Sequence, residues 1–160
     1  MKKWWVIALL ALLLTGCGSK EVMETVADEW VVPVMAQPLQ ITVDLPGEAA
    51  IPVSETDSGR LYLCQDYEIA MQTLSAGDLN ATVQTLSGYE KDQLTLVQTQ
   101  SGDAKRYDFV WVSAGENGER LGRGVILDDG QYHYCMSVLR DAEAVSQVVW
   151  RDVFASFELI

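Results

Sequence analysis

At 160 residues the chain has room for one domain of ordinary size and little more. Eleven Lys and Arg stand against 23 Asp and Glu, a net charge of −12, which excludes binding to nucleic acid or an anionic membrane through bulk electrostatics. With 49% hydrophobic and 21% charged residues, the composition is that of a globular chain rather than a disordered one.

Lys2 and Lys3 precede an apolar run of 11 residues, Trp4 to Leu14. As a helix that run reaches about 17 Å, short of a hydrocarbon core of about 30 Å, so it fits the apolar region of a secretory signal. Leu14-Thr15-Gly16-Cys17 follows and resembles the lipobox of bacterial lipoproteins. The resemblance implies a diacylglycerol on the Cys17 sulfur, cleavage just before it, and an amine open to fatty acylation, palmitate included. It divides the chain into a signal peptide (1–16), a lipidated N-terminus and tether (17–38) and one globular domain (39–160). From Cys17 onward nine basic residues face 23 acidic ones, a charge of −14, so a lipid would hold the domain where charge repels it. Two acyl chains anchor durably; one gives only marginal binding.

With Cys17 assigned to the lipid, Cys64 and Cys135 remain as an even pair. Outside the cytoplasm such a pair can be oxidised, and a bridge would close a loop of about 70 residues contributing about 4 kcal/mol in the chain-entropy model. A disulfide is the expectation, with two buried thiols as the alternative. One His, no CxxC and no clustered carboxylates argue against a metal site.

Along the tether, Val22, Val26 and Trp30 recur at helical spacing until Pro33 and Pro38 end the pattern. This apolar strip is expected to dock on the domain, because Glu21, Glu24, Asp28 and Glu29 disfavour a lipid surface. Ile41, Val43 and Leu45 alternate as in a strand, Pro46-Gly47 turns the chain, and 47–59 reads as an exposed loop. Leu61–Cys64 and Tyr67–Leu74 form a hairpin. Asp78 caps a helix of about ten residues that carries Leu79, Val83 and Leu86 and stops at Gly88. Strands follow at 93–100, 106–113, 120–127 and 131–139, separated by Ser101-Gly102-Asp103, Asn117-Gly118 and Asp128-Asp129-Gly130, which makes a meander of hairpins. From Asp141, Ala142, Val145, Val149 and Val153 recur beside Val148, Phe154 and Phe157, which predicts a C-terminal helix of about 16 residues. The class is α+β: an antiparallel sheet of six to seven strands packed by a short middle helix and a long final one.

This order, and the closing stretch from Tyr132-His133-Tyr134-Cys135 to Ser156-Phe157, resembles the PsbP-like fold over about residues 60–160. That group consists mostly of accessory or binding proteins, so the resemblance implies a non-catalytic role. The whole chain also looks like lipoproteins of Gram-positive bacteria, which imply no activity.

The chemistry-bearing residues are few. His133 shares a strand face with Cys135, but i, i+2 neighbours lie about 7 Å apart, too far for a direct nucleophile–base contact. Asp128-Asp129-Gly130 lacks the further oxygens of a calcium loop and reads as a turn. Glu116 and Glu119 flank a hairpin tip near Arg120 and Arg123, where carboxylates are usually solvated. Tyr107, Phe109 and Trp111 form a row that is either core or a binding face for a sugar, peptide or protein.

The expectation is therefore a lipid-anchored domain on the extracytoplasmic face of the cell membrane, not an enzyme and without cofactor or nucleic acid. It would bind an envelope protein or other envelope component. The alternatives are a small-ligand pocket between sheet and helices, and an envelope hydrolase.

Overall fold

Strands dominate the computed structural model, which describes residues 36–116 and 118–160. Seven of them make one antiparallel sheet: β2 (Ser54–Thr56), β3 (Gly59–Leu63), β4 (Tyr67–Ser75), β5 (Val97–Ser101), β6 (Ala104–Gly115), β7 (Gly118–Asp128) and β8 (Tyr132–Asp141). Their spatial order is β2-β3-β4-β8-β7-β6-β5. Two meanders thus meet where β8 returns to pair with β4, from Tyr67 opposite Arg140 to Ser75 opposite Tyr132. The connection between them carries α1 (Leu79–Ser87). Asp78 caps α1 by accepting from the Asn80 N–H, and Gly88, at φ +81°, closes it by donating its N–H to the Gln84 carbonyl. A side chain disfavours that left-handed conformation, which is why glycine ends the helix.

Period-two alternation sends alternate side chains to opposite faces, and each face has its own core. On one face Val83 of α1 is fully buried against Phe109, Ile126 and Cys135; burying such a side chain contributes about 1.5–3 kcal/mol. On the other, Ile69, Met136 and Tyr134 pack beneath Phe154 and Phe157 at the C-terminal end. The α+β class and the seven-stranded antiparallel sheet with two helices agree with the sequence reading.

Three elements differ from it. The final helix, α2, spans only Trp150–Ala155, six residues in place of about 16. β8 instead runs on to Asp141, whose carboxylate pairs with Arg120 rather than capping a helix, and Ala142 donates its N–H to the Glu119 carbonyl. Val145 is 93% exposed and Val149 56%, so two positions of the apparent apolar stripe lie largely in water, and β-branched valines do not sustain a helix unaided. The loop expected at 47–59 contains the edge strand β2, and the strand expected from Gln40 is a two-residue β1 (Ile41–Thr42). β1 leaves the main sheet to pair with β9 (Glu158–Leu159). The hairpin between β6 and β7 closes at Gly115 opposite Gly118, one residue earlier than an Asn-Gly turn would place it. Asn117 itself lies outside the described residues.

The N-terminal strap is held at the foot of the sheet. Tyr134 Oη accepts from the Leu39 N–H at 2.9 Å and donates to Asp129 Oδ2 at 2.8 Å, while Tyr132 Oη donates to the Ala36 carbonyl at 2.9 Å. Among the described residues no helix is long and apolar enough to cross a membrane.

Candidate functional site: a groove beside the last helix

Because α2 is short, it covers only part of the sheet face on which it lies. Two cross-strand rows emerge from under it. One runs Arg140–Leu121–Val112 and the next Val138–Arg123–Val110, each residue directly opposite its neighbour across β8, β7 and β6. Val110 is 65% exposed and Val112 45%, an unusual state for valines in the interior of a sheet. With Trp150 and Phe154 of α2 as the side wall, the rows bound a groove of about 490 Å3. That lies within the span of about 300–1,000 Å3 usual for small-molecule sites.

The walls are apolar, and the groove's two charged groups are both arginines. The Arg123 guanidinium lies 4.1 Å from the Phe154 ring centroid and 3.5 Å from an Asp108 carboxylate oxygen, so it is stacked and partly neutralised. Arg140 has no acidic partner within salt-bridge distance among the described residues. Trp150 stands edge-on to Tyr67, with ring centroids 4.9 Å apart, which fixes the wall in place. Such a cleft suits an apolar body that ends in an acceptor-only anion, since a guanidinium offers a planar fork of donors to a carboxylate or phosphate.

Of the residues singled out by sequence, Arg123 and Trp111 border the groove and the others fall elsewhere. Tyr107, Phe109 and Trp111 are interior: they are 9%, 3% and 7% exposed, on the opposite face from the groove floor and packed toward α1. Phe109 and Trp111 stack at 5.6 Å, and their rings lie over Gly124 and Gly122 of the next strand, where any Cβ would collide with them. Of the two readings the sequence left for this row, the structure has core.

Cys64 and Cys135 are both free thiols, which corrects the expected disulfide. Cys135 is buried with Phe109 and Ile126 on one face of the sheet, whereas Cys64, after β3, packs against the core of the other face. A bridge would have to pass through the sheet. Burial pushes the Cys135 thiol up to about 12, and the thiol donates only to the carbonyl of His133, at 3.7 Å. His133, 2% exposed, lies with Nδ1 2.8 Å from Thr82 Oγ1 of α1 and Nε2 3.9 Å from Asp128. It therefore ties helix to sheet, and the cysteine beside it is held as an inert thiol.

The Asp128-Asp129-Gly130 segment is a turn. Asp129 Oδ1 accepts from the Gln131 and Tyr132 N–H groups at 2.8 and 2.7 Å, and Asp128 Oδ1 accepts from Gly130 N–H at 2.8 Å. Burial works to raise the Asp129 carboxyl, but these N–H donors and the Tyr134 hydroxyl outweigh it and hold the group below its ordinary value. Glu116 and Glu119 are exposed, and Arg120 turns from them to Glu68 at 2.8 Å and Asp141 at 3.3 Å. Among the described residues no three His, Cys, Asp or Glu side chains are grouped to hold a metal. Cys17 lies outside the described residues.

The phase of Val110 and Val112 was legible in the sequence. Their exposure was not, because a 16-residue helix would have covered them. In comparisons with protein-family models, curated proteins and solved structures, nothing matches this chain.

Proposed function

We propose that this chain is a lipid-anchored, extracytoplasmic binding module without catalytic activity, and that the groove beside α2 is where it binds. The Leu14-Thr15-Gly16-Cys17 pattern supports the location, since export and acylation would hold a strongly acidic domain at a membrane that repels its charge. The observation that carries the binding role is the bare apolar shelf at Val110 and Val112 beneath a wall of two aromatic rings. A folded domain gains nothing in stability by leaving valines in water, and exposed apolar concavities are where ligands and partners are held.

Between an envelope protein and a small ligand, the groove favours the ligand. Its apolar lining suits the body of a small molecule, and Arg140 supplies the one charge in it without an acidic partner among the described residues. The ligand class is an apolar molecule with a carboxylate or similar anion.

The test uses anilinonaphthalene sulfonate, an apolar anion that fluoresces on leaving water, with the full-length chain under native conditions. Saturable binding should be lost in Val110→Glu and weakened about fivefold or more in Arg140→Gln, as expected for one charge-assisted contact. It should persist in Leu63→Glu, where the replaced side chain is exposed on the other face of the sheet. Absence of native-state binding, or equal binding by all three variants, would overturn the assignment of the groove.

A further inference from the structure

We propose that β5 is a dimerisation strand, through which two copies of this chain join their sheets edge to edge about a two-fold axis at Thr99. β5 is an outer strand of the seven-stranded sheet, and Val97 to Gln100 are all exposed. Sheet edges in soluble proteins are usually blunted by lysine, proline, a bulge or a covering segment, because their free N–H and C=O groups recruit other strands. Among the described residues this edge has none of those guards. From Leu94 to Ser101 the sequence reads Leu-Thr-Leu-Val-Gln-Thr-Gln-Ser, eight residues without a charge, a glycine or a proline in a chain of net charge −12.

The strand's hydrogen-bonding phase and its uncharged side chains together fit a second copy as its occupant. β5 and β6 are joined by the two-residue turn Gly102-Asp103, which closes on Ser101 opposite Ala104. The turn hydrogen bond directs Ser101 toward β6, and antiparallel alternation then directs Thr99 and Val97 the same way. The backbone groups of Gln98 and Gln100 therefore face outward, symmetrically on either side of Thr99. An antiparallel copy centred there places Gln98 opposite Gln100 of its mate, and each such pair exchanges two N–H···O=C bonds, four in all.

The side chains agree with that register. Glutamine meets glutamine, Thr99 meets Thr99, and Val97 meets Ser101, so no carboxylate opposes a carboxylate; the nearest acid, Asp103, falls opposite Thr95. The remaining repulsion is between the two acidic bodies, and salt screens it. Pairing of this kind is isologous and closes at two copies, so the edge is consumed instead of propagating. The inference is independent of the groove and of the lipid.

Cysteine cross-linking and sedimentation of the full-length chain in non-ionic detergent test it together. In the proposed register the two Thr99 residues form a non-hydrogen-bonded pair with Cα atoms about 4.5 Å apart, within disulfide reach. Thr99→Cys should give a covalent dimer on mild oxidation well above the wild-type background. Gln98→Cys, offset from its own mate by two positions, should not. Sedimentation should show a dimer that tightens as salt rises from about 0.05 to about 0.5 M. It should weaken about tenfold or more in the double variant Gln98→Lys/Gln100→Lys, whose urea midpoint matches the wild type when both are diluted to monomers. A monomer at all concentrations, equal cross-linking from positions 98 and 99, or a Thr99→Cys link formed only to a different protein would each overturn self-pairing.

Discussion

Replacing Gly122 by alanine tests whether the aromatic row is core. A Cβ at position 122 falls 2.0 Å from Trp111 Cε2 and 2.4 Å from Cδ2 and Cζ2. Carbon atoms rest about 3.5–4.0 Å apart, so the indole must retreat by about 1.5 Å. It has little room to do so, being 7% exposed and stacked on Phe109, whose own ring covers Gly124. Overpacking of this kind costs about 1–3 kcal/mol, and a clash with a rigid ring belongs at the upper end, about 3 kcal/mol. At a urea slope of about 1.5 kcal/mol/M, the midpoint should fall by about 2 M. Gly47→Ala is the control, since a Cβ there meets nothing within 4 Å. It removes the same backbone freedom from the unfolded chain and should be neutral or slightly stabilising. Trimming the ring in Trp111→Leu should relieve the clash, so the double variant should lose at least about 1 kcal/mol less than the sum of the singles. If Gly122→Ala unfolds within about 0.5 kcal/mol of the wild type, Trp111 does not lie over that glycine, and the row is open for binding.

Four further predictions concern the polar groups around the two cores. Under native conditions a thiol reagent should label Cys64 while Cys135 reacts only on unfolding, and the mass of the unreduced chain should show no bridge between them. Thr82→Val leaves the His133 ring nitrogen without its partner in a buried setting and should cost about 1–3 kcal/mol by chemical denaturation. The Tyr134 phenol is pushed up to about 12, first by burial and then by the adjacent Asp129 carboxylate. The folded state therefore keeps a proton that the unfolded state releases near pH 10, and this part of the stability is present below about pH 10 and lost as pH rises toward 12. Tyr134→Phe should flatten that limb of the stability curve. The Asp129 carboxyl is held low, so its contribution is present above the ordinary carboxylate range and lost as pH falls below about 4; Asp129→Asn should flatten the acid limb.

The strands were legible because their side chains alternate against two cores. Alternation alone puts Tyr132, Tyr134, Met136 and Val138 on one face of β8 and His133 and Cys135 on the other. The same alternation argued against the disulfide: Cys135 shares the phase of His133, and Cys64 continues the phase of Tyr62, which faces the opposite core. An even cysteine count outweighed that signal in the sequence reading. The last helix misled for a different reason. Apolar residues at Val145, Val148, Val149 and Val153 have helical spacing, but spacing becomes structure only where a surface receives it, and β8 had already taken the chain as far as Asp141. The groove was invisible for the same reason, since Val110 and Val112 are exposed only because that helix is short. β2 was hidden in an acidic, turn-rich segment, where pairing with β3 rather than local propensity makes the strand.

The claim on which the functional account turns is that the chain is anchored outside the cytoplasm by lipid on Cys17. The direct measurement is the intact mass and N-terminal peptide of the chain recovered from the membrane fraction of cells that express it. The account predicts a polypeptide that begins at Cys17 and carries a diacylglycerol mass on that residue, and a Cys17→Ser variant that accumulates uncut. A soluble chain that retains residues 1–16, or that begins elsewhere with Cys17 unmodified, would contradict it.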